Sequence, residues 1–214
     1  MPMDRQDLRR RLAALAATQS GYFTAAQALK VGYSYPNQKF HVDRGNWVRV
    51  DRGIFRLPEW PVDPRDDLVR WSMWALGQGV ISHETALTVH GVGEFDPARV
   101  HLTVPPRFSK SDPAVILHRA TLDEADVEDR AGFRITTPLR SLIDVAAAGA
   151  DLDQLARAIG EARNAGMVTP RRLRERAEEV DVRGALRVEQ ALGIPGRLRL
   201  IPPRLRVLLA RSCR

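Results

Sequence analysis

The chain has 214 residues, 44% of them hydrophobic and 28% charged, with a formal net charge of +7, a composition that suits one large or two modest globular domains and excludes wholesale disorder. No apolar run exceeds six residues (Leu12 to Ala17), which is too short for a membrane span or for the apolar stretch of a secretory signal. Cys213 is the only cysteine, so a disulfide framework and a cysteine-based zinc site are excluded and a reducing, cytoplasmic setting is expected.

Leu8, Leu12 and Leu15 fall at i, i+4, i+7 and predict a first helix with one apolar face, ended by Gly21. Thr24 is placed to cap a short second helix from Ala25 to Lys30. After a turn at Val31-Gly32-Tyr33, Ser34 caps a third helix with Pro36 in its first turn, and Arg44-Gly45 closes it. Trp47–Val50 and Ile54–Leu57, joined through Asp51-Arg52-Gly53, predict a β-hairpin. Helix, helix, turn, helix and two-stranded wing is the order of a winged helix-turn-helix. Pro58, Pro61 and Pro64 then punctuate the chain and place a domain boundary near residue 61.

Beyond it, Asp66 to Leu76 reads as a helix, and Ser82 as the cap of another that ends at His90-Gly91. Val100–Val104 alternates strictly and predicts a half-buried strand with His101 outward. Val115–Leu117 and Phe133–Thr136 read as further strands, and Thr137-Pro138 opens a helix through Ala148. Leu152 to Ala165 and Pro170 to Glu179 read as two more helices. The fold class is therefore α+β: a winged helix-turn-helix at 1–60, a mixed domain with a small sheet and several helices at 61–194, and a basic tail at 195–214.

Charge follows this division. Residues 1–57 carry ten Lys/Arg and four Asp/Glu (net +6), residues 58–194 seventeen and twenty-two (net −5), and residues 195–214 six Arg and no acid (net +6). Thirty of the 33 basic residues are Arg, so the location of the charge carries the argument rather than its total. A basic N-terminal module beside an acidic body points to nucleic acid.

Several stretches, in their order along the chain, resemble the AbiEi-type antitoxins of bacterial abortive-infection (type IV) toxin–antitoxin systems. They are Gly21–Ala25, Trp47–Arg56, Ser82-His83-Glu84-Thr85-Ala86-Leu87, Val100-His101-Leu102-Thr103-Val104 and Thr137–Asp144. The resemblance covers about residues 5–180. It implies an N-terminal domain that binds the operon's own promoter DNA as a repressor, and a C-terminal domain needed to counteract a nucleotidyltransferase-like toxin, with self-association as a further expectation.

The third helix starts Ser34-Tyr35-Pro36-Asn37-Gln38-Lys39, placing amides and a lysine at the end that enters the major groove in this motif, where Asn and Gln suit adenine edges. Arg44 at its far end, and Arg49, Arg52 and Arg56 on the wing, are positioned for phosphates or a minor groove. The alternative for this module is a protein-contacting winged helix with solvated arginines. The spacing of His83 and His90 is not that of a helical zinc pair, so no metal or cofactor is expected. Asp123, Glu124, Asp126, Glu128 and Asp129 read as a solvated acidic loop or as a docking surface for a basic partner. With three lysines, none two positions after an acid, no Mg²⁺-nuclease motif of the Glu-x-Lys type is present, and no catalytic constellation is found. The competing reading is a winged-helix regulator whose second domain senses a ligand or dimerises, without a toxin.

Overall fold

The computed structural model describes residues 4–193; the basic tail lies outside the described residues, apart from which the architecture is α+β. The N-terminal part runs α1 (Arg5–Ala17), β1 (Tyr22–Thr24), α2 (Ala25–Val31), α3 (Tyr35–Asp43), β2 (Val48–Asp51) and β3 (Ile54–Arg56). The capping residues act as their chemistry dictates. Asp4 accepts from the Gln6 amide, Thr24 and Gln27 form a reciprocal capping box, and Ser34 caps α3 with Pro36 in its first turn. The hairpin gains a third strand, giving an antiparallel sheet in the order β1-β3-β2 with a bulge between Arg49 and Asp51. Its core is aromatic: Phe23, Tyr33, Trp47 and Phe55 pack edge-on or tilted with Leu12, Ala16 and Ala28.

The rest runs α4 (Asp66–Trp74), β4 (Val80–Ile81), α5 (His83–His90), β5 (Val100–Val104), β6 (Val115–Arg119), β7 (Val127–Arg130), β8 (Phe133–Thr136), α6 (Pro138–Ala148), α7 (Leu152–Asn164), α8 (Pro170–Val180) and α9 (Val182–Ala191), with a 3-10 turn at Glu124–Asp126. The sheet order is β6-β5-β4-β8-β7, with β5–β6 and β4–β8 parallel and the other two pairs antiparallel. β5 lies inside this sheet and is buried along four of its five residues rather than on alternate ones. Both of its faces are covered, so the strict alternation does not mark a solvent side.

Two cores serve this region. One joins α4 to the sheet through Val69, Trp71, Ile81, Leu102, Val104 and Ile135. The other is a helical cluster in which α6, α7, α8 and α9 enclose Leu142, Ile143, Leu155, Ile159, Leu173 and Val188. α9 is an element additional to those read from the sequence. It crosses α6 at Gly184, where a Cβ would stand 3.2 Å from the Ile143 carbonyl oxygen.

The three-stranded sheet is covered on both faces. Phe23 and Phe55 point toward its own helices, whereas Tyr22 and Ile54, on the alternate side, belong to the α4 core. Gly132, in the β7–β8 turn with φ +87°, allows close approach to the same module: a Cβ there would meet Val69 at 3.0 Å and the Gln19 backbone at 3.1 Å.

Candidate nucleic-acid interface and a buried histidine cluster

On α3, the face turned from the core presents Pro36, Lys39, Phe40, Asp43 and Arg44, with Tyr35 and Asn37 also exposed. Ser34 spends its hydroxyl on the helix cap. Lys39 Nζ lies 2.6 Å from Asp43 Oδ2 in an exposed pair, and the Arg44 guanidinium sits 5.4 Å from the centre of the Phe40 ring. Tyr35 and Phe40 remain 64% and 53% exposed, so this helix shows water two aromatic rings as well as its charges. Asn37 and Phe40 also border a cleft of about 670 Å³ between α1 and α3, shared with Arg5, Arg9, His41 and Trp47. Burial, and then Arg9, lower the His41 pKa, so its ring is held neutral there. Arg49 and Arg52 stand exposed on the wing.

Two residues assigned to this surface from the sequence are corrected by the geometry. Gln38 is 3% exposed, and its Nε2 donates to the Ala25 and Tyr33 carbonyl oxygens at 3.0 and 2.9 Å. It ties the α2–α3 turn together, on the inward side of α3 with Val42, and has no donor left for a base. Arg56 is likewise turned inward. Its Nη2 donates to the Trp60 and Pro61 carbonyls and to Asp66 Oδ2 at 3.0, 2.8 and 3.1 Å, on the sheet face that meets α4.

The acidic run has its basic partner within the chain. Asp126 is buried and receives Arg140 Nη1 at 2.8 Å and Arg176 Nη2 at 2.7 Å, while Asp123 also meets Arg176. Glu124 and Asp129 pair with Arg134, and Glu128 with Arg130. Asp126, with Asp123, fastens the turn before β7 to α6 and α8, while Glu124 and Asp129, 91% and 92% exposed, form only surface pairs with Arg134, as a solvated acidic stretch does. Despite burial, the two guanidinium groups hold the Asp126 pKa below the usual carboxylate range. Asp144 takes one hydrogen bond from Arg140 Nε at 2.7 Å and leaves Oδ2 without a partner; burial prevails there and pushes its pKa up to about 6.

The histidine reading also changes. His101 is 9% exposed and lies inward with His83 and His118. Parallel pairing sets Thr103 opposite His118, so His101 and His118 are diagonal neighbours on one sheet face; His118 Nε2 and His101 Nδ1 are 3.1 Å apart. His83, the first residue of α5, stacks on His118 with ring centres 3.4 Å apart and an interplanar angle of 14°. Its φ is +54°, in the left-handed region that side chains other than glycine rarely occupy. The preceding Ser82 does not cap α5 with its side chain as the sequence suggested. Its hydroxyl instead bonds His83 Nδ1 at 2.9 Å and Thr103 Oγ1 at 2.8 Å. Burial is the main cause that pushes His83 down to about 2 and His118 down to about 4, so these imidazoles are neutral at ordinary pH.

Comparison with known proteins bears on the body of the chain. The profile of the AbiEi antitoxin C-terminal domain matches residues 78–194, more than half of the sequence. Among solved structures, that of the RV2827C protein from Mycobacterium tuberculosis is similar, with a TM-score of 0.59 at 16% identity, covering 98% of this chain and 82% of that one. At such identity the likeness concerns the fold alone. A search of curated proteins finds no match. No described helix is long and apolar enough to cross a membrane.

Proposed function

The chain belongs to the AbiEi antitoxin family, and on that premise we propose that it represses its own operon through residues 1–60 and counteracts a nucleotidyltransferase-like toxin through residues 61–194. The family match over residues 78–194 carries the antitoxin half of this reading. The DNA half is supported by the +6 charge of residues 1–57 and by an exposed α3 beside an exposed wing. Lys39, Arg44, Arg49 and Arg52 position the module on phosphates, Asn37 reads an adenine edge, and Tyr35 and Phe40 offer apolar contact to thymine methyl groups. The protein acts by occupying promoter DNA and its partner, in the cytoplasm, without a chemical step.

Binding to the chain's own upstream DNA tests the repressor half. Four cations on phosphates give a salt slope near −3.6, so raising salt from about 50 to 200 mM should weaken binding roughly 100-fold. Binding that ignores salt, or none at any salt, overturns it. The antitoxin half is tested separately, by co-expression with the adjacent nucleotidyltransferase gene. Failure of residues 61–194 to matter for rescue, or the lack of such a neighbouring gene, favours a plain winged-helix regulator.

A further inference from the structure

We propose that His83, His101 and His118 form a binding site for a transition-metal ion of the Zn²⁺ type, a property separate from DNA and toxin binding. The side chains come from α5, β5 and β6, and one ligand nitrogen of each lies within 4.8 Å of the other two. Imidazole nitrogen is a favoured ligand of Zn²⁺, and three histidines with one open position make a recurrent tetrahedral set. With metal–nitrogen bonds of about 2.0–2.1 Å, two ligands of a tetrahedral ion lie about 3.3 Å apart. The 3.1 Å between His118 Nε2 and His101 Nδ1 is already close to that separation. Bringing in the third nitrogen requires His118 and His83 to unstack, and His118 is the less buried of the two, on an edge strand.

Three further features fit a ligand rather than a packed core. Among the described residues, the three rings share two side-chain hydrogen bonds, Ser82 Oγ to His83 Nδ1 and His101 Nδ1 to His118 Nε2, and no carboxylate bonds any of them. Three imidazoles within reach of one another, with no carboxylate among their partners, make an all-nitrogen donor set of the kind a transition-metal ion takes up. Ser82, itself held by Thr103, sits where the outer nitrogen of a metal-bound His83 would donate, and such a contact fixes the ring and its tautomer. The backbone of His83 is kept at φ +54°, a strain of the kind that clusters at functional positions.

The test uses the full chain, free of affinity-tag histidines and freed of metal with a chelator. Titration with Co²⁺ should give the visible absorption of a nitrogen-ligated ion at one equivalent, displaced by Zn²⁺, and Zn²⁺ should raise Tm. His118→Gln, at the partly exposed position, should abolish both while keeping the Tm of the metal-free wild type. Absence of the band and of the Tm rise in the wild type overturns the proposal, as does a band that survives in His118→Gln. Should that variant not fold, Ser82→Ala serves instead and should weaken Co²⁺ affinity about 10–100-fold. Unchanged affinity in Ser82→Ala counts against the site. DNA binding that persists in the metal-free protein leaves the repressor reading intact whichever way this result falls.

Discussion

Replacing Arg56 by methionine decides whether the wing's last strand faces DNA or is fastened to the rest of the chain. Arg56 Nη2 serves three oxygens at once, those of Trp60, Pro61 and Asp66, and the guanidinium lies 5.5 Å from the centre of the Tyr22 ring. Methionine keeps an unbranched stem over Tyr22 and removes only the charge and its donors, so the loss is electrostatic rather than a cavity. Asp66 is then left buried with the Asp63 amide, 3.2 Å away, as its remaining donor. Arg56 Nε and Asp66 Oδ1 have no partner even in the intact pair, so replacing both residues together costs less than breaking the pair from one side. Removing one partner of a buried ion pair costs about 3–5 kcal/mol. The amide that remains, and side-chain exposures of 13% and 12%, put Arg56→Met at the low end, about 3 kcal/mol. Urea denaturation followed by tryptophan fluorescence measures it, and a cycle with Asp66→Asn should show a coupling of about 1–2 kcal/mol. A loss below about 0.5 kcal/mol, combined with weaker DNA binding, would refute the reasoning and return Arg56 to the DNA surface.

Two other substitutions probe buried polar groups. Gln38→Ala strips two buried carbonyls of their donor and should cost about 1–3 kcal/mol in chemical denaturation, whereas Asn37→Ala should leave stability unchanged and relax base preference. The reverse pattern would make Gln38 the reader. For Asp144, a pKa raised from 3.8 to about 6 means that the native state holds the proton more tightly than the unfolded chain does. That contribution is complete below pH 3.8 and is lost as pH rises through 6, an amount of about 3 kcal/mol. Asp144→Asn should therefore gain about that much relative to wild type between pH 4 and 7; parallel stability curves for the two proteins would count against it.

What the sequence displayed best were features set by neighbours along the chain. The caps at Thr24, Ser34 and Thr137, and the helix starts at Pro36 and Pro138, need only a few adjacent residues to be recognised. Ser82 looked the same and behaves differently, because Thr103 and His83, reached through the fold, compete for its hydroxyl. β1 and β4 were illegible because strands of three and two residues carry no period, and β7, Val-Glu-Asp-Arg, reads as part of an acidic loop until Phe133–Thr136 pairs with it. Gln38 and Arg56 were misplaced for one reason: a long polar side chain looks solvated until the oxygens it satisfies are known. The histidine cluster needed the parallel pairing of β5 with β6, which no local pattern encodes; the nearest sequence signal was a histidine within or just after each of two apolar strands.

Within residues 78–194, the motifs that carry the family resemblance turn out to be framework. Ser82, His83, His101 and Thr103 meet between α5 and the sheet, and Arg140, Ser141 and Asp144 lock the start of α6 against β8 and the turn before β7. All seven are buried, so none is free to touch a toxin or a phosphate. On the proposed reading, partner contacts come from exposed residues instead, on the N-terminal module Tyr35, Asn37, Lys39, Phe40, Arg49 and Arg52, where substitution should leave stability nearly unchanged. The two sets are nonetheless mechanically joined. Tyr22 and Ile54 lie on the same small sheet as the wing and pack into the core that holds Ile81 and Leu102, the neighbours of Ser82 and His101. Displacement of the wing relative to the body must therefore break an apolar contact and the Arg56–Asp66 pair together. A module held this way would present its proposed DNA surface in one fixed relation to the antitoxin domain, and an event that loosens α4 would act on both.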